Sequence, residues 1–302
     1  MSKIRFSVVI PTCDRPRLLK EAVQSVISQS LPPDEIIIVG ELKDIDDAVF
    51  KLDKKVRHAW ALPNIGVSQA RNIGICQAGG DYIAFLDDDD TWDKEYLKEV
   101  SDAINKTGAT IVLGGVKILE TGEIWQFRSD PINSLEYFKK NLLLTNPGAM
   151  GSNTVVERKL ILASSGFDPF LPTGEDRGII FDLLSKPGAK VVRAEKAFMH
   201  YRVISGGSRL TDRGSLLKGK TRFLIKYWKV MDLRTRWRCL VFLLKLKYKH
   251  GKVADIQKVF KKIIRKARRM IRKSDDNDNG DKKNYIETKG AHYKISKGAR
   301  VQ

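Results

Sequence analysis

Short apolar runs alternate with helix-like periodicity over the first 120 residues. Runs of the length of a buried strand lie at 6–10, 35–39, 56–59, 82–86 and 110–113. Between them, apolar residues recur at three- and four-residue spacing, which predicts helices. These helices span 17–30, 67–77 and 93–106. Continuous apolar strands that alternate with helices are typical of a mostly parallel sheet with helices on both faces, so we expect an α/β, Rossmann-like fold.

The pattern is less regular after residue 120. It predicts a hairpin around Gly122, with arms at 116–118 and 124–127, and a loop over 141–152. It also predicts two short helices and two strand ends. The helices lie at 158–165 and 176–184, and the strand ends at 190–192 and 197–201.

The positive charge of the chain is concentrated in one segment. The 302 residues include 55 Lys and Arg against 36 Asp and Glu, a formal net charge of +19. Residues 218–273 hold 21 of the basic residues and only two acids, Asp232 and Asp255, which is 21 − 2 = +19. The remainder, with 34 basic and 34 acidic residues, is neutral. The charge therefore predicts a basic extension attached to an ordinary globular domain.

Cysteine usage and the lengths of the apolar runs exclude two classes of protein. Cys13, Cys76 and Cys239 are far apart and form no CxxC pair, which disfavours a disulfide framework or zinc site and favours a reducing compartment. The chain opens on a strand-like run without an apolar signal region. Its longest apolar run, 239–244, is six residues, against ~20 for a membrane-spanning helix. We therefore expect a cytoplasmic protein that does not span a membrane.

Four consecutive aspartates, residues 87–90, follow the predicted strand at 82–86. Open parallel sheets bind ligands at the carboxyl ends of their strands, so these carboxylates lie where a ligand is expected. Crowded carboxylates stay ionised beside a cation, and hard oxygen ligands suit Mg²⁺ or Mn²⁺ that bridges to the phosphates of a substrate. The alternative is a solvated acidic loop in which Asp90 or Thr91 caps the next helix.

Five segments of the chain, in order, match the motif pattern of one enzyme family. They are VVIPTCDRPRLLKEAVQSVISQS at 8–30, DEIIIV at 34–39, NIGVSQARNIGI at 64–75, GGDYIAFLDDDDTW at 79–92 and TGED at 173–176. Together they resemble the family 2 glycosyltransferases, which use nucleotide-diphospho-sugars and have the GT-A fold. No single segment is diagnostic, whereas five at suitable spacing are specific. The resemblance covers roughly residues 4–205 and implies inverting sugar transfer.

The resemblance also implies where the nucleotide binds. Pro11 and Thr12 would form the turn that lies against the nucleotide, and Arg71 would approach the uridine. A simple turn at Thr12 and a helix-surface arginine paired with an acid are the alternatives. Relatives place an aspartate that reads the base after the second strand. This chain departs from that pattern, so Glu41 or Asp44 would take the role and the uracil preference stays open.

The same resemblance implies the metal ligands. Asp87 would lie nearer the ribose, and Asp89 would hold the divalent cation, Mn²⁺ or Mg²⁺, against the diphosphate. Asp88 would share this work, because a run of four aspartates does not define which two align with the two aspartates of the family's metal motif. His200 follows a strand-like run and would complete the metal site, as a histidine does in some relatives. A structural role is the alternative for this histidine.

Asp176 resembles the general base of the family, and Glu175 would orient the acceptor or support that base. Inverting transfer needs a carboxylate that takes the proton from the acceptor hydroxyl as it attacks the anomeric carbon. The alternative is a helix N-terminus, where acidic residues complement the helix dipole. Both interpretations can hold at once.

The basic extension contains two amphipathic stripes. One comprises Phe223, Leu224, Tyr227, Trp228 and Met231, and the other lies over 253–271 with lysines and arginines on the opposite face. Basic amphipathic helices with aromatic residues bind anionic membrane surfaces, which favours a membrane contact through 218–273. Packing on the main domain and a homo-oligomer seam are the alternatives. No nucleic-acid-binding signature accompanies the charge, so we expect no nucleic acid partner.

From the sequence we therefore expect a GT-A catalytic domain at 1–210, a basic amphipathic helical extension at 211–273 and a polar, disordered tail at 274–302. The donor would be a nucleotide-diphospho-sugar, UDP-linked, and the acceptor a glycan or lipid-linked hydroxyl at the cytoplasmic membrane face. The alternative is a non-catalytic, membrane-surface binding protein on a degenerate transferase domain.

Overall fold

The chain forms an α/β fold around one curled sheet. The computed structural model describes residues 3–125, 132–203 and 213–247, without the side chains of three of them, Asp44, Arg213 and Lys247. The strands in this part are β1 Phe6–Pro11, β2 Glu35–Gly40, β3 Val56–Trp60, β4 Tyr82–Phe85, β5 Thr91–Trp92, β6 Ile111–Ile118, β7 Thr154–Glu157 and β8 Val191–Tyr201. Their order in the sheet is β3-β2-β1-β4-β7-β6-β8-β5.

Helices cover both faces of this sheet. They are α1 Pro16–Ile27, α2 Val67–Gln77, α3 Tyr96–Thr107, α4 Leu135–Leu144, α5 Arg158–Leu162, α6 Glu175–Leu183, α7 Arg213–Lys226 and α8 Leu233–Lys247. Alternate residues of the central strands point to opposite faces. Val8 and Ile10 of β1 pack against α1 and α3, and Val9 packs against the face that carries the other helices. Both faces are buried, which explains the continuous apolar runs.

Strand direction brings the candidate ligand-binding residues to one edge. β1 pairs in parallel with β2 and β4, and β2 pairs in parallel with β3, so the carboxyl ends of these strands lie together. β7 is antiparallel to both β4 and β6, while β6 and β8 are parallel. The sheet is therefore mostly parallel, as predicted.

Two predictions about the second half need correction. The stretch 141–152, expected as a loop, begins inside α4, whose N-cap Ser134 accepts a hydrogen bond from the Tyr137 amide. The helix forms because Phe138 and Leu142 share a face that packs on α6. The two strand ends at 190–192 and 197–201 belong to one strand, β8, with an irregularity opposite Gly114 and Gly115.

The last described helices pack on the main domain. Phe223, Leu224, Tyr227 and Met231 are buried in the same core as α4 and α6, and Trp228 is partly buried against it. Packing is therefore the right interpretation for this stripe. The second stripe at 253–271 and the tail at 274–302 lie outside the described residues. Among the helices that the structure describes, none is both long and apolar enough to cross a bilayer.

Candidate active site

A cavity of about 690 Å³ opens at the carboxyl ends of β1, β2 and β4. Its walls contain nine of the eleven residues that the sequence offers for a site. They are Pro11, Thr12, Glu41, Arg71, Asp87, Asp88, Asp89, Glu175 and Asp176. Segments that are more than 160 residues apart in sequence thus meet around one space. The roles that the resemblance gives to these residues remain predictions.

The turn after β1 holds the second aspartate of the acidic run. Thr12 donates from its hydroxyl to Asp88 Oδ2 at 2.8 Å. Arg15 Nη1 lies 3.1 Å from Asp88 Oδ1 and 2.7 Å from Asp89 Oδ2, so one guanidinium binds two carboxylates. Burial raises the pKa of Asp88 to about 6, against the lowering effects of Thr12 and Arg15. Burial, together with the charge of Asp87, also raises the pKa of Asp89.

Asp90 has a different role from its neighbours, since it is buried and ties three segments together. Its carboxylate accepts from the Ser152 hydroxyl at 2.6 Å and from the Arg202 amide at 3.1 Å. Ser152 Oγ in turn accepts from the Asp87 amide at 3.0 Å. Burial raises the pKa of Asp90 well above its ordinary value. Asp90 therefore positions the acidic run rather than serving as a free ligand.

Arg71 joins the acidic run to the second acidic pair. Its side chain is 2% exposed, and Nη2 lies 2.7 Å from Asp87 Oδ1 while Nη1 lies 3.2 Å from Glu175 Oε1. Burial opposes the charge of Arg71, but the carboxylates of Asp87 and Glu175 raise its pKa. A Cβ at Gly151 would lie 2.1 Å from Arg71 Nη2, so only glycine at this position leaves room for the guanidinium.

Glu175 and Asp176 begin α6 and lie at the cavity wall. The preceding residue, Gly174, has φ of +82°, a left-handed conformation that glycine adopts readily. Burial and the neighbouring Asp176 raise the pKa of Glu175 to about 7, and burial also raises the pKa of Asp176. Asp176 accepts a hydrogen bond from the Arg177 amide and, unlike Glu175, remains partly exposed to the cavity. A carboxylate of this kind is suited to accepting a proton.

Glu41, the residue that the sequence expects to read the base, also lines the cavity. Its carboxylate pairs with Lys43 Nζ at 2.9 Å, and Gly40 and residues 61–66 complete this wall. The side chain of Asp44, the other candidate for this role, lies outside the described part of the chain.

The structure does not bring His200 into the cavity wall. His200 Nε2 lies 2.6 Å from Asp93 Oδ1, and Asp93 also pairs with Lys117. Over the described residues, no group of three His, Cys, Asp or Glu side chains comes together in a way that could hold a metal ion. Asp87 and Asp89 do line one cavity, and Mg²⁺ commonly takes one or two carboxylates together with substrate phosphates. The residues present thus fit a cation shared with a diphosphate.

Sequence reasoning missed four residues of this site: Arg15, Ser152, Arg202 and Ser215. Arg15 stands inside the first motif, and its position just before α1 at the ligand-binding edge was an available signal. Ser152 and Arg202 come from segments without periodicity or motif, and Ser215 lies in the predicted basic extension but outside its two stripes. Only the tertiary structure brings them to the acidic run or the cavity wall.

Two curated proteins illustrate what the chain is similar to. It is 33% identical over 118 residues to the putative teichuronic acid biosynthesis glycosyltransferase TuaG of Bacillus subtilis, a match of 35% of this chain and 47% of TuaG. It is 30% identical over 114 residues to glycosyltransferase GlyG of Streptococcus pneumoniae, a match of 36% of this chain and 38% of GlyG. The chain thus matches less than half the length of either relative.

The fold is shared with a solved structure. The crystal structure of S. aureus TarS 1–349 in complex with UDP-GlcNAc superposes with a TM-score of 0.60 at 17% identity, covering 82% of this chain and 74% of that one. At this identity the likeness concerns the fold, and it confirms the GT-A-type architecture.

A family model described as glycosyl transferase family 2 matches residues 7–162. This range contains the turn after β1, Arg71 and the acidic run, which are three parts of the cavity wall. Because the match covers 156 of the 302 residues, just over half, the chain belongs to glycosyl transferase family 2.

Proposed function

We propose that this protein is an inverting hexosyltransferase that moves a sugar from a UDP-sugar to a hydroxyl of a glycan or lipid-linked acceptor. The observation that carries the proposal is the network in which Arg71 links Asp87 of the acidic run to Glu175, next to Asp176, inside one cavity. A donor diphosphate and an acceptor hydroxyl would meet between these two acidic groups.

Asp176 is the residue proposed to take the proton. The acceptor oxygen forms a bond to the anomeric carbon, the bond from that carbon to the diphosphate oxygen breaks, and its electron pair leaves with the diphosphate. The acceptor proton moves to the Asp176 carboxylate, whose raised pKa favours this transfer. Glu175 is held by Arg71 and therefore orients the site rather than accepting the proton.

The charge of the cavity supports a divalent cation. Among the described residues its walls contain seven carboxylates and three arginines, so an anionic diphosphate needs additional positive charge to bind there. Asp87 and Asp89 would hold Mn²⁺ or Mg²⁺. When bound, the cation neutralises the departing diphosphate. Arg15 must then share Asp89 with the cation or turn toward the diphosphate.

The relatives support a role in cell-surface polysaccharide or glycolipid synthesis. TuaG is described as a teichuronic acid biosynthesis glycosyltransferase, and TarS as a poly(ribitol-phosphate) β-N-acetylglucosaminyltransferase. The TarS structure contains UDP-GlcNAc, which supports a UDP-linked donor here.

Substitution of Asp176 by Asn tests the catalytic assignment. We expect Asp176→Asn to abolish sugar transfer while its affinity for UDP, measured by titration calorimetry with Mn²⁺, stays within about twofold of the wild type. Asp102→Asn, the same chemical change on the exposed face of α3, is the control and should retain both properties. Transfer by Asp176→Asn, or an equal loss of UDP affinity, would contradict the assignment.

Thermal unfolding with Mn²⁺ and UDP, GDP, CMP or dTDP tests the donor. A nucleotide at a hundred times its dissociation constant stabilises the folded state by ~2.7 kcal/mol, so UDP should raise the unfolding temperature by several degrees. A shift with another nucleotide would contradict the uridine assignment and leave sugar transfer in place. No shift with any nucleotide would favour the non-catalytic, membrane-surface protein.

A further inference from the structure

The outer face of α8 combines exposed apolar and basic side chains. We define this outer face as Leu233, Arg234, Trp237, Arg238 and Lys245 of α8, together with Val230 in the turn before the helix. Leu233 is 79% exposed, Val230 60% and Trp237 59%, although all three are large apolar residues. Leu233 and Trp237 are one helical turn apart and so are adjacent on the surface. Neighbouring exposed apolar residues of this size mark an interaction site more often than single ones do.

The opposite face of α8 is already used for packing. Thr235, Leu240 and Leu243 are buried, and Leu240 and Leu243 belong to the core shared with α4, α6 and α7. The stripe from Phe223 to Met231, in α7 and the turn after it, packs into the same core, although the sequence favoured it as a membrane contact. The outer face is therefore the exposed side of α8 among the described residues.

The charge around the outer face selects an anionic partner. Residues 213–247 contain 11 Lys and Arg and one acid, Asp232, which lies 2.9 Å from Lys140 Nζ. Arg234, Arg238 and Lys245 are exposed beside the apolar residues. A second copy of this face would bring like charges together. The adjoining segment, 248–273, also has 11 basic residues and one acid, so it too would be repelled.

We infer that the outer face of α8 docks on an anionic lipid surface. Leu233 and Trp237 enter the interfacial region, and Arg234, Arg238 and Lys245 contact the acidic head groups. This combination of an apolar face with flanking basic residues is what interfacial helices use. Ser215 of α7 lines the cavity, so the helical pair that meets the lipid also forms part of the cavity wall. The inference goes beyond the proposed function, because lipid binding requires neither donor nor acceptor.

Vesicle flotation with the full-length chain tests the inference. The probes are vesicles of phosphatidylcholine alone and vesicles that also contain phosphatidylglycerol. We expect binding to the anionic vesicles only, and weaker binding at high salt. The double variant Leu233→Glu with Trp237→Glu should bind at least about tenfold more weakly, because it loses two apolar contacts and gains two repulsive charges. Arg234→Gln with Arg238→Gln should lower binding by about thirtyfold.

A matched control separates the outer face from overall charge. Trp60→Glu with Leu162→Glu also replaces one exposed tryptophan and one exposed leucine by acids, on β3 and α5. This control should bind vesicles within about threefold of the wild type, since it lowers net charge by the same amount elsewhere. All variants should keep the unfolding temperature and UDP affinity of the wild type, so failure here is distinct from failure of the proposed function.

Three results would overturn the inference. The first is equal loss of binding in the control, or no loss in the Leu233→Glu, Trp237→Glu variant. The second is a wild-type dimer, seen by light scattering, that this variant dissociates, which would assign the face to a second copy of the chain. The third is stronger capture of single-stranded RNA than of anionic vesicles, which would assign it to nucleic acid.

Discussion

Replacement of Arg71 by Gln is the perturbation whose cost follows most directly from the structure. The guanidinium is 2% exposed and lies within 3.2 Å of carboxylate oxygens of both Asp87 and Glu175. Removal of one partner of a buried ion pair costs about 3–5 kcal/mol, because the remaining charge is left uncompensated. Asp87 is more exposed than Glu175, so its unpaired carboxylate adds less to this cost. We therefore expect Arg71→Gln to lower the free energy of unfolding by about 3 kcal/mol.

The assay is thermal unfolding at two pH values. A loss of this size lowers the unfolding temperature by about 6–12 °C in a protein of this size. Burial and Asp176 raise the folded-state pKa of Glu175 to about 7, and Arg71 opposes this shift. Without Arg71 the folded-state pKa of Glu175 rises further. Because the folded state then holds this proton more tightly than the unfolded state does, the folded state loses stability as the pH rises from the unfolded-state pKa of glutamate to the raised folded-state pKa. The difference between wild type and Arg71→Gln should therefore be larger at pH 8 than at pH 5.

Two comparisons make the result decisive. Arg57→Gln removes a guanidinium that pairs with Glu35 at 2.7 Å but is 37% exposed, so it should cost about 1 kcal/mol or less. Its cost should not change between pH 5 and 8, because the pKa of Glu35 is lowered by its Ser7, Gly79 and Arg57 hydrogen bonds despite burial. A further change, Glu175→Gln in the Arg71→Gln background, should restore part of the stability. A loss no larger than that of Arg57→Gln, or one that is the same at both pH values, would refute the reasoning.

Two other substitutions test the packing around the site. Gly151→Ala would place Cβ 2.1 Å from Arg71 Nη2 and displace its ion pair. We expect it to lower the free energy of unfolding by about 2 kcal/mol, measured by denaturation, and to weaken UDP binding, measured by calorimetry. Gly79→Ala, whose Cβ meets only an ordinary 3.5 Å contact, should be nearly neutral, and equal effects would exclude the proposed clash. Phe223→Ala should cost about 3–5 kcal/mol in denaturant unfolding, because Phe223 of α7 is buried in the core of the main domain. Phe170→Ala, at an exposed position, should change stability by about 0.5 kcal/mol or less, and a similar value for Phe223→Ala would show that α7 is not docked.

Local sequence patterns were enough to predict most elements of the N-terminal half and the edge of the sheet that carries the site. Buried parallel strands are apolar on both faces, so they appear as short continuous runs, and Pro11, Pro32 and Gly80 mark where elements stop. The α2 helix has the predicted bounds, Val67–Gln77. The acidic run was assigned to the ligand-binding edge because parallel strands place their carboxyl ends together. These inferences use only local periodicity and one rule of topology.

Which charged groups meet depends on how the chain folds in three dimensions. Arg71 lies 104 residues from Glu175, and Arg15 lies 73 residues from Asp88, so no local pattern pairs them. The cavity brings these groups together because α2 and α6 both approach the edge where β1 and β4 end. His200 likewise acquired Asp93 as its partner through the β5–β8 pairing.

The tertiary structure also decided which side of each C-terminal helix is buried. Periodicity shows that a helix has an apolar face, but it does not show what that face packs against. The sequence favoured a membrane contact for the stripe that begins at Phe223, with packing as the alternative, and the fold uses this stripe for the core. Leu233 and Trp237 remain exposed because Leu240 and Leu243, on the other side of α8, are the residues that pack against that core. The reason is physical: burial is a property of two surfaces in contact, and a single chain segment specifies only one of them.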